Sequence, residues 1–336
     1  MEMIKWFAAI DTHSCGEPLR IITGGLPQME GSSQQAKAAF FKQHFDAVRR
    51  QLLAEPRGHH AMTGAIVTAP VTSEARFGLL FLHQEGCASI SGHGIFAAVT
   101  AWIATGQLDA SDAAEGVLID CPAGTVKAYA NCEGDEIRSV SFRSVPSFVF
   151  AEPLTAAVDG IEVSIDVAYS GEFYALVDAS ELGVREGEYP LHKLREWSRL
   201  IREEIRRQLD VKHPQHDWIS GTYGVFFYQK DNREPNGLVF RSTAVFAGEQ
   251  LDRSPGGAGA CAHLALLYSR GRLSQGQQVI YEGITGTRVA GKIAEETEAY
   301  GYKAVIPQLT GSAYVLGFMN FIVDPTDPLA EGFILN

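Results

Sequence analysis

Two glycine-rich turns in this sequence lead directly into apolar segments, and each turn has the residue types that bind a small anion. Residues 252–259 read DRSPGGAG and precede an apolar run at 260–268, while residues 91–94 read SGHG and precede a similar run at 95–104. The first N–H groups of a helix have no partner inside it, and the helix dipole adds positive potential there. Because glycine allows close approach to the backbone, both turns are candidate sites for a carboxylate.

The spacing of the two turns indicates an internal repeat. Ser91 and Gly256 lie 165 positions apart in a chain of 336 residues. Two similar halves would present two sets of helix N–H groups to one substrate carboxylate. Such donors stabilise the charge that develops when the α-proton of an amino acid is removed. Two unrelated core helices that each start at glycine are the alternative interpretation.

Composition excludes several classes of function. The chain is 46% hydrophobic and 20% charged, and its net charge of −12 argues against nucleic acid and anionic membranes as partners. Five cysteines without a CxxC spacing indicate neither a disulfide framework nor a zinc site. No signal peptide or long apolar run is evident, so we expect a cytoplasmic protein. Dinucleotide, Walker, metalloprotease and Schiff-base patterns are not found, and we expect no metal and no cofactor.

The elements that would position the two turns are mainly short strands. Amphipathic spacing predicts surface helices over 33–53 and 190–209, and apolar central helices should follow the two glycine turns. With the many strand-like segments this predicts an α+β chain. A weak domain boundary is expected near 153–160.

Further short segments extend the pattern over nearly the whole chain. They are DTH at 11–13, GEP at 16–18, RII at 20–22, EPRGH at 55–59, EG at 85–86, GHG at 92–94, FYA at 173–175, DRSP at 252–255, GAG at 257–259 and GSAY at 311–314. With these segments the chain resembles the proline racemase family. The resemblance implies a diaminopimelate epimerase-like fold of two pseudo-symmetric halves. Each half would be a β-sheet wrapped round a central helix, with the active site between the halves. We expect the halves at 1–157, joined by 320–336, and at 158–319.

The resemblance also assigns roles, and two positions depart from it. Racemases of the family use two cysteines as bases, at the places held here by Ser91 and Gly256. With a single basic side chain the expected reaction is dehydration of trans-3-hydroxy-L-proline, and a cysteine introduced at 256 should restore the second base. A 4-hydroxyproline 2-epimerase and a catalytically silent binder of a proline-like amino acid are the alternatives.

The remaining site residues follow by position. Asp252 and His93 are implied to contact the ring nitrogen of a hydroxyproline-like substrate. The substrate-binding set implied by the resemblance is Gly92, His93, Gly256, Gly257, Ala258, Thr63 and Phe246. Thr63 is either a substrate contact or an ordinary strand threonine. The sequence does not decide whether a water lies beside Gly256. It also does not decide whether the protein forms a homodimer.

Overall fold

The computed structural model describes residues 4–134, 136–234 and 237–335, and the chain divides into two compact units. Unit 1 is the chain up to Phe142 together with the segment from Ser312 onward, and unit 2 is Arg143–Gly311. The sequence placed these boundaries later, at 157/158 and 319/320. The first difference arises because β9 (Phe148–Val158) pairs with β10 (Ile161–Tyr169). The second arises because β18 (Ala313–Val323) pairs with β1 (Lys5–Ser14) from its first residue.

Unit 1 is a mixed sheet around one helix. Its further strands are β2 (Glu17–Gly24), β3 (Thr63–Thr68), β4 (Ala75–His83), β5 (Gly86–Ala88), β6 (Val117–Cys121), β7 (Gly124–Glu133) and β8 (Glu136–Arg143). Its helices are α1 (Gln34–His44), α2 (Asp46–Leu53), α3 (Gly92–Ala104) and α4 (Ala110–Glu115). The strands pair in the order β18–β1–β2–β3–β4–β6–β7, with β2–β3 and β4–β6 parallel. Helix α3 contacts β1, β2, β7 and β18.

Unit 2 repeats this plan. Its further strands are β11 (Phe173–Asp178), β12 (Gly224–Lys230), β13 (Val239–Phe246), β14 (Gln250–Leu251), β15 (Gln278–Glu282), β16 (Arg288–Ala299) and β17 (Tyr302–Gly311). Its helices are α5 (Leu191–Gln208) and α6 (Gly257–Ser269). The order is β9–β10–β11–β12–β13–β15–β16–β17, with β11–β12 and β13–β15 parallel. The predicted repeat is confirmed, since α3 and α6 each lie in the chain between the two strands of the second parallel pair of their unit, β4–β6 and β13–β15.

The helices follow from their apolar spacing. In α5 the side chains of Leu194, Trp197, Ile201 and Ile205 recur every three or four residues and are buried. Helices α3 and α6 are apolar on most sides because strands surround them. The prediction of one helix over 33–53 is wrong, because Phe45, with φ −133°, separates α1 from α2. Among the described helices, none has both the length and the apolarity needed to cross a bilayer.

Candidate active site

Helix α3 begins at a serine whose hydroxyl is held at the helix start. Ser91 is the N-cap, with extended backbone, and its Oγ accepts a hydrogen bond of 3.2 Å from the N–H of Gly94. A Cβ added at Gly94 would lie 2.8 Å from the ring of Phe81 and 3.0 Å from Ser91 Oγ. Only glycine therefore lets this turn pack between the β4 ring and the capping hydroxyl. Ser91 itself is half-buried.

His93 lies beside that hydroxyl. Its Nδ1 is 3.4 Å from Ser91 Oγ, and its Nε2 is 3.4 Å from Thr63 Oγ1. Burial lowers the pKa of His93 to about 4, so the imidazole is neutral at pH 7. A neutral imidazole has one nitrogen that accepts a proton. The two side chains are therefore close enough for the imidazole to accept the proton of the serine hydroxyl.

Thr63 begins β3 and makes a backbone contact as well as the histidine contact. Its hydroxyl donates to the carbonyl oxygen of Pro18 at 2.5 Å, and its oxygen faces His93. Thr63 is buried and pairs with Leu19 of β2. Because the Thr63 hydroxyl donates its proton to Pro18, its oxygen is left to accept a hydrogen bond from the His93 ring. Thr63 is therefore a positioning residue for that ring. A contact with substrate stays a prediction.

Asp252 is a buried carboxyl group at the second turn. Its Oδ1 accepts a hydrogen bond of 2.8 Å from the N–H of Ser254. Burial raises the pKa of Asp252 from 3.8 to about 6, although the bonds from Ser254 act in the opposite direction. A nearby cation such as an ammonium group would favour the carboxylate and lower this pKa. A buried carboxyl of this kind is typical of functional sites.

Serine side chains fix the backbone of this turn. Ser254 Oγ accepts from the N–H of Gly256 at 3.2 Å, and Ser242 Oγ donates to the carbonyl of Pro255 at 2.7 Å. Ser170 Oγ donates to the carbonyl of Ala258 at 2.6 Å. The N-cap of α6 is Gly256, which has no side chain to cap the helix. Side chains from neighbouring strands therefore fix this turn. The N–H groups of Gly257 and Ala258 lie at the helix start that the turn forms.

Gly256 has a backbone that strongly favours glycine. Its φ is +90° and ψ 102°, and a Cβ placed there would lie 2.8 Å from Cε2 of Phe226. The same ring would be 2.5 Å from a Cβ at Gly259. Phe226 of β12 thus lies beneath the first turn of α6 and fills the space at both glycines. A cysteine at 256 therefore requires the backbone or the ring to move first, and the gain of a second base by Gly256→Cys stays a prediction.

Aromatic residues surround Phe246 at the end of β13. Tyr223 stacks on its ring with centroids 5.8 Å apart, and Tyr174 meets Tyr223 edge-on at 5.8 Å. Burial, with the carboxylates of Glu172 and Asp252, raises the pKa of Tyr174 well above 10. Sequence reasoning did not place Tyr174 and Tyr223 beside Phe246. The FYA segment at 173–175 contained the signal for Tyr174, but no role followed from it.

Comparison with known proteins shows the family of this chain. The sequence model described as proline racemase matches residues 9–334. The chain belongs to the proline racemase family. Across its full length it is 40% identical to the trans-3-hydroxy-L-proline dehydratase of Bacillus cereus, covering 100% of both chains. It is 35% identical to the proline racemase of Acetoanaerobium sticklandii, with 99% of each chain covered.

A solved structure of the family has the same fold. The hydroxyproline epimerase of Agrobacterium vitis, solved with bound trans-4-hydroxy-L-proline, matches with a TM-score of 0.91 and 30% identity. The match covers 98% of this chain and 95% of that one. The proline racemase family and the fold inferred from the sequence motifs are thus confirmed.

The predicted site residues fall into two groups, one in each unit. Unit 1 brings together Ser91, Gly92, His93 and Thr63, whereas Asp252, Gly256, Gly257, Ala258 and Phe246 lie in unit 2. Cys261, five positions after Gly256, is fully buried inside α6, and burial raises its pKa to about 12. A thiol with that pKa is protonated at neutral pH, so Cys261 is a core residue.

Proposed function

We propose that this protein dehydrates trans-3-hydroxy-L-proline without a cofactor. The observation that carries the proposal is the difference between the two helix starts. Ser91 stands beside a neutral His93 at the start of α3, whereas Gly256 at the start of α6 has no side chain and is packed against Phe226. One proton-accepting side chain suits an elimination, while a racemase needs a group on each face of Cα. The 40% identity to a dehydratase supports the same choice.

The proposed reaction breaks two bonds and forms one double bond. Ser91 takes the α-proton, and His93 receives the proton of the serine hydroxyl. The electron pair of the C2–H bond forms the C2=C3 double bond as the C3–O bond breaks. The proton taken from Cα returns through the Ser91–His93 pair to the leaving hydroxide, which departs as water, and the pair is restored. The other product is a pyrroline-2-carboxylate, so substrate and products balance.

The second turn binds rather than reacts in this proposal. The Asp252 carboxylate pairs with the ring ammonium, and this pairing compensates for the burial that raises its pKa. In this proposal the helix N–H groups at Gly92, His93, Gly257 and Ala258 donate hydrogen bonds to the substrate carboxylate, as helix N-termini do to anions. Phe246 supplies an apolar wall for the ring.

The test is proton NMR in heavy water with trans-3-hydroxy-L-proline and trans-4-hydroxy-L-proline. We expect a pyrroline product from the first compound and little epimerisation of the second. Ser91→Ala should lower turnover about 10²–10⁴-fold, the usual contribution of one acid–base group. Ser111→Ala, an exposed serine in α4, is the matched control and should keep native turnover.

The same spectra distinguish the two alternatives. Efficient epimerisation of trans-4-hydroxy-L-proline without pyrroline would make the protein an epimerase, the activity named for the Agrobacterium vitis structure. Binding without any exchange of the α-proton would make it a silent binder. We further propose that the protein works in a reducing cytoplasm, where its five cysteines remain thiols, and as a homodimer.

A further inference from the structure

A short turn in unit 2 connects two of the residues assigned to substrate binding. Strand β13 ends at Phe246, residues 247–249 form the turn, and β14 covers Gln250–Leu251, directly before Asp252. Phe246 pairs with Gln250 across this hairpin. The apolar wall and the carboxyl group proposed for the substrate therefore depend on one turn for their relative position.

The backbone of this turn is strained. Ala247 has a φ of +48° and Glu249 has a φ of +67°, and both residues carry a Cβ. The left-handed region is unfavourable for such residues and persists only where the surrounding structure holds it. The turn thus needs contacts from neighbouring elements to keep its shape.

Two hydrogen bonds hold the backbone of Ala247. Its N–H donates to the carbonyl oxygen of Tyr223 at 3.1 Å, and Tyr223 stacks on Phe246. Its own carbonyl oxygen accepts a hydrogen bond of 2.7 Å from Nη1 of Arg202, which belongs to α5. Hydrogen bonds from a charged donor are stronger than those between neutral groups. Arg202 therefore makes the stronger of the two bonds.

The helix that carries Arg202 is anchored by buried side chains. Ile201 and Ile205 are buried, and α5 contacts β12, β13 and β14. Arg202 itself is half-buried and borders a surface cleft of about 740 Å³. A shorter side chain at 202 therefore leaves space that solvent fills and no sealed cavity, so a substituted chain should fold.

We propose that Arg202 is a positioning residue for substrate binding, which holds the strained turn at 247–249 and through it both Phe246 and Asp252. The proposal rests on the assignment of Phe246 and Asp252 to the substrate. It assigns Arg202 to affinity and not to proton transfer, because the proposed base lies at the start of α3 in unit 1. Loss of an interaction made equally with substrate and transition state raises KM and leaves kcat unchanged.

Arg202→Met tests the hydrogen bond, since methionine is flexible and has no donor. Steady-state kinetics should show KM raised about 10-fold or more, the factor that a hydrogen bond to a charged group commonly contributes, and kcat changed by less than about threefold. Arg199→Met is the matched control, because Arg199 lies on the same helix and bonds to Glu203. The control should keep the native KM and kcat. Circular dichroism establishes that each variant is folded.

The kinetics follow loss of the α-proton from trans-3-hydroxy-L-proline, a step that dehydration and epimerisation share. The KM therefore does not depend on which product forms. A failure of the proposed dehydration is seen in the native chain, whereas a failure of the present proposal is seen in the variant. Calorimetric titration with L-proline gives the same comparison without turnover. A native KM and Kd in Arg202→Met, or a native KM with a lower kcat, would overturn the proposal.

A second variant tests the strain in the turn. Glycine adopts a φ of +48° without the cost that alanine has. Ala247→Gly in the Arg202→Met background should therefore lower KM by about two- to fivefold, because the turn then needs less support. A double variant whose KM is no lower than that of Arg202→Met would contradict strain as the reason that the turn needs Arg202.

Discussion

Gly256 provides the sharpest test of the structure, because substituting it should lower the free energy of unfolding through two effects that can be measured separately. The φ of +90° is unfavourable for any residue with a Cβ, and such a backbone costs about 1–3 kcal/mol. The added Cβ would also overlap the Phe226 ring at 2.8 Å, and overpacking of this kind costs about 1–3 kcal/mol. Gly256→Ala should therefore lower the free energy of unfolding by about 2–6 kcal/mol.

A matched glycine isolates the backbone part. Gly301 has a φ of +84°, and a Cβ there would meet nothing within 4 Å. Gly301→Ala should thus lower the free energy of unfolding only through the unfavourable backbone conformation, by about 1–3 kcal/mol. The difference between the two variants, measured by urea unfolding followed by circular dichroism, is the contact with Phe226. The reasoning is refuted if Gly256→Ala and Gly301→Ala differ by less than about 0.5 kcal/mol, the scatter expected of independent sites.

A double-mutant cycle assigns the contact to one ring. Phe226→Leu shortens the side chain beneath α6, so Gly256→Ala should cost less in that background, by about 1–3 kcal/mol. The same argument applies to Gly256→Cys. We expect this variant to be destabilised and to gain no epimerisation of trans-4-hydroxy-L-proline while Phe226 is present. A stable Gly256→Cys variant that racemises proline would contradict the position of the ring.

Three further predictions concern the two turns. Asp252→Asn should weaken binding of a proline-like ligand in calorimetric titration by about 3–5 kcal/mol, because it leaves a buried charge unpaired. In the native chain, binding of the ligand should weaken as pH falls through about 6. The raised pKa of Asp252 lets the carboxyl group protonate there, and a neutral carboxyl no longer attracts an ammonium group. An affinity that does not change from pH 7 to 5 would refute the pairing of Asp252 with the ammonium group. Gly94→Ala should cost about 1–3 kcal/mol in unfolding free energy and also reduce turnover, because the new methyl group overlaps Phe81 and Ser91 Oγ; unchanged turnover would show that the hydroxyl position is not critical.

The sequence predicted the fold best where periodicity and glycine turns agree. Helices α3, α5 and α6 begin and end within a few residues of their predicted bounds, because apolar spacing and flanking glycines mark them. The β16–β17 hairpin was not predicted. Its strand Arg288–Ala299 is half-exposed and rich in glutamate, so its sequence lacks a clear apolar alternation. Cross-strand pairing, which no local pattern reveals, determines it.

The site was predictable in identity but not in geometry. Motif residues identified Ser91, His93 and Asp252 as candidates, yet no spacing shows that a threonine 30 positions before His93 faces its ring. The position of Phe226 beneath Gly256 is a long-range contact for the same reason. Burial likewise sets the pKa values of His93 and Asp252, and burial depends on the strands that surround each turn.

The two turns occupy equivalent places in the repeat but differ in the side chains around them. Both helix starts occupy the same place in the same strand plan, so each offers N–H groups to an anion whatever its side chains are. The α3 turn adds a hydroxyl and a neutral imidazole that can move a proton. The α6 turn instead has hydroxyls on neighbouring strands, Ser170 and Ser242, that bond its carbonyl groups, and a phenyl ring fills the space beneath it. A rigid helix start of this kind can orient a carboxylate but has no group that exchanges a proton. The proposed assignment of proton transfer to the α3 turn and of binding to the α6 turn therefore follows from which side chains pack around each copy of one repeated turn.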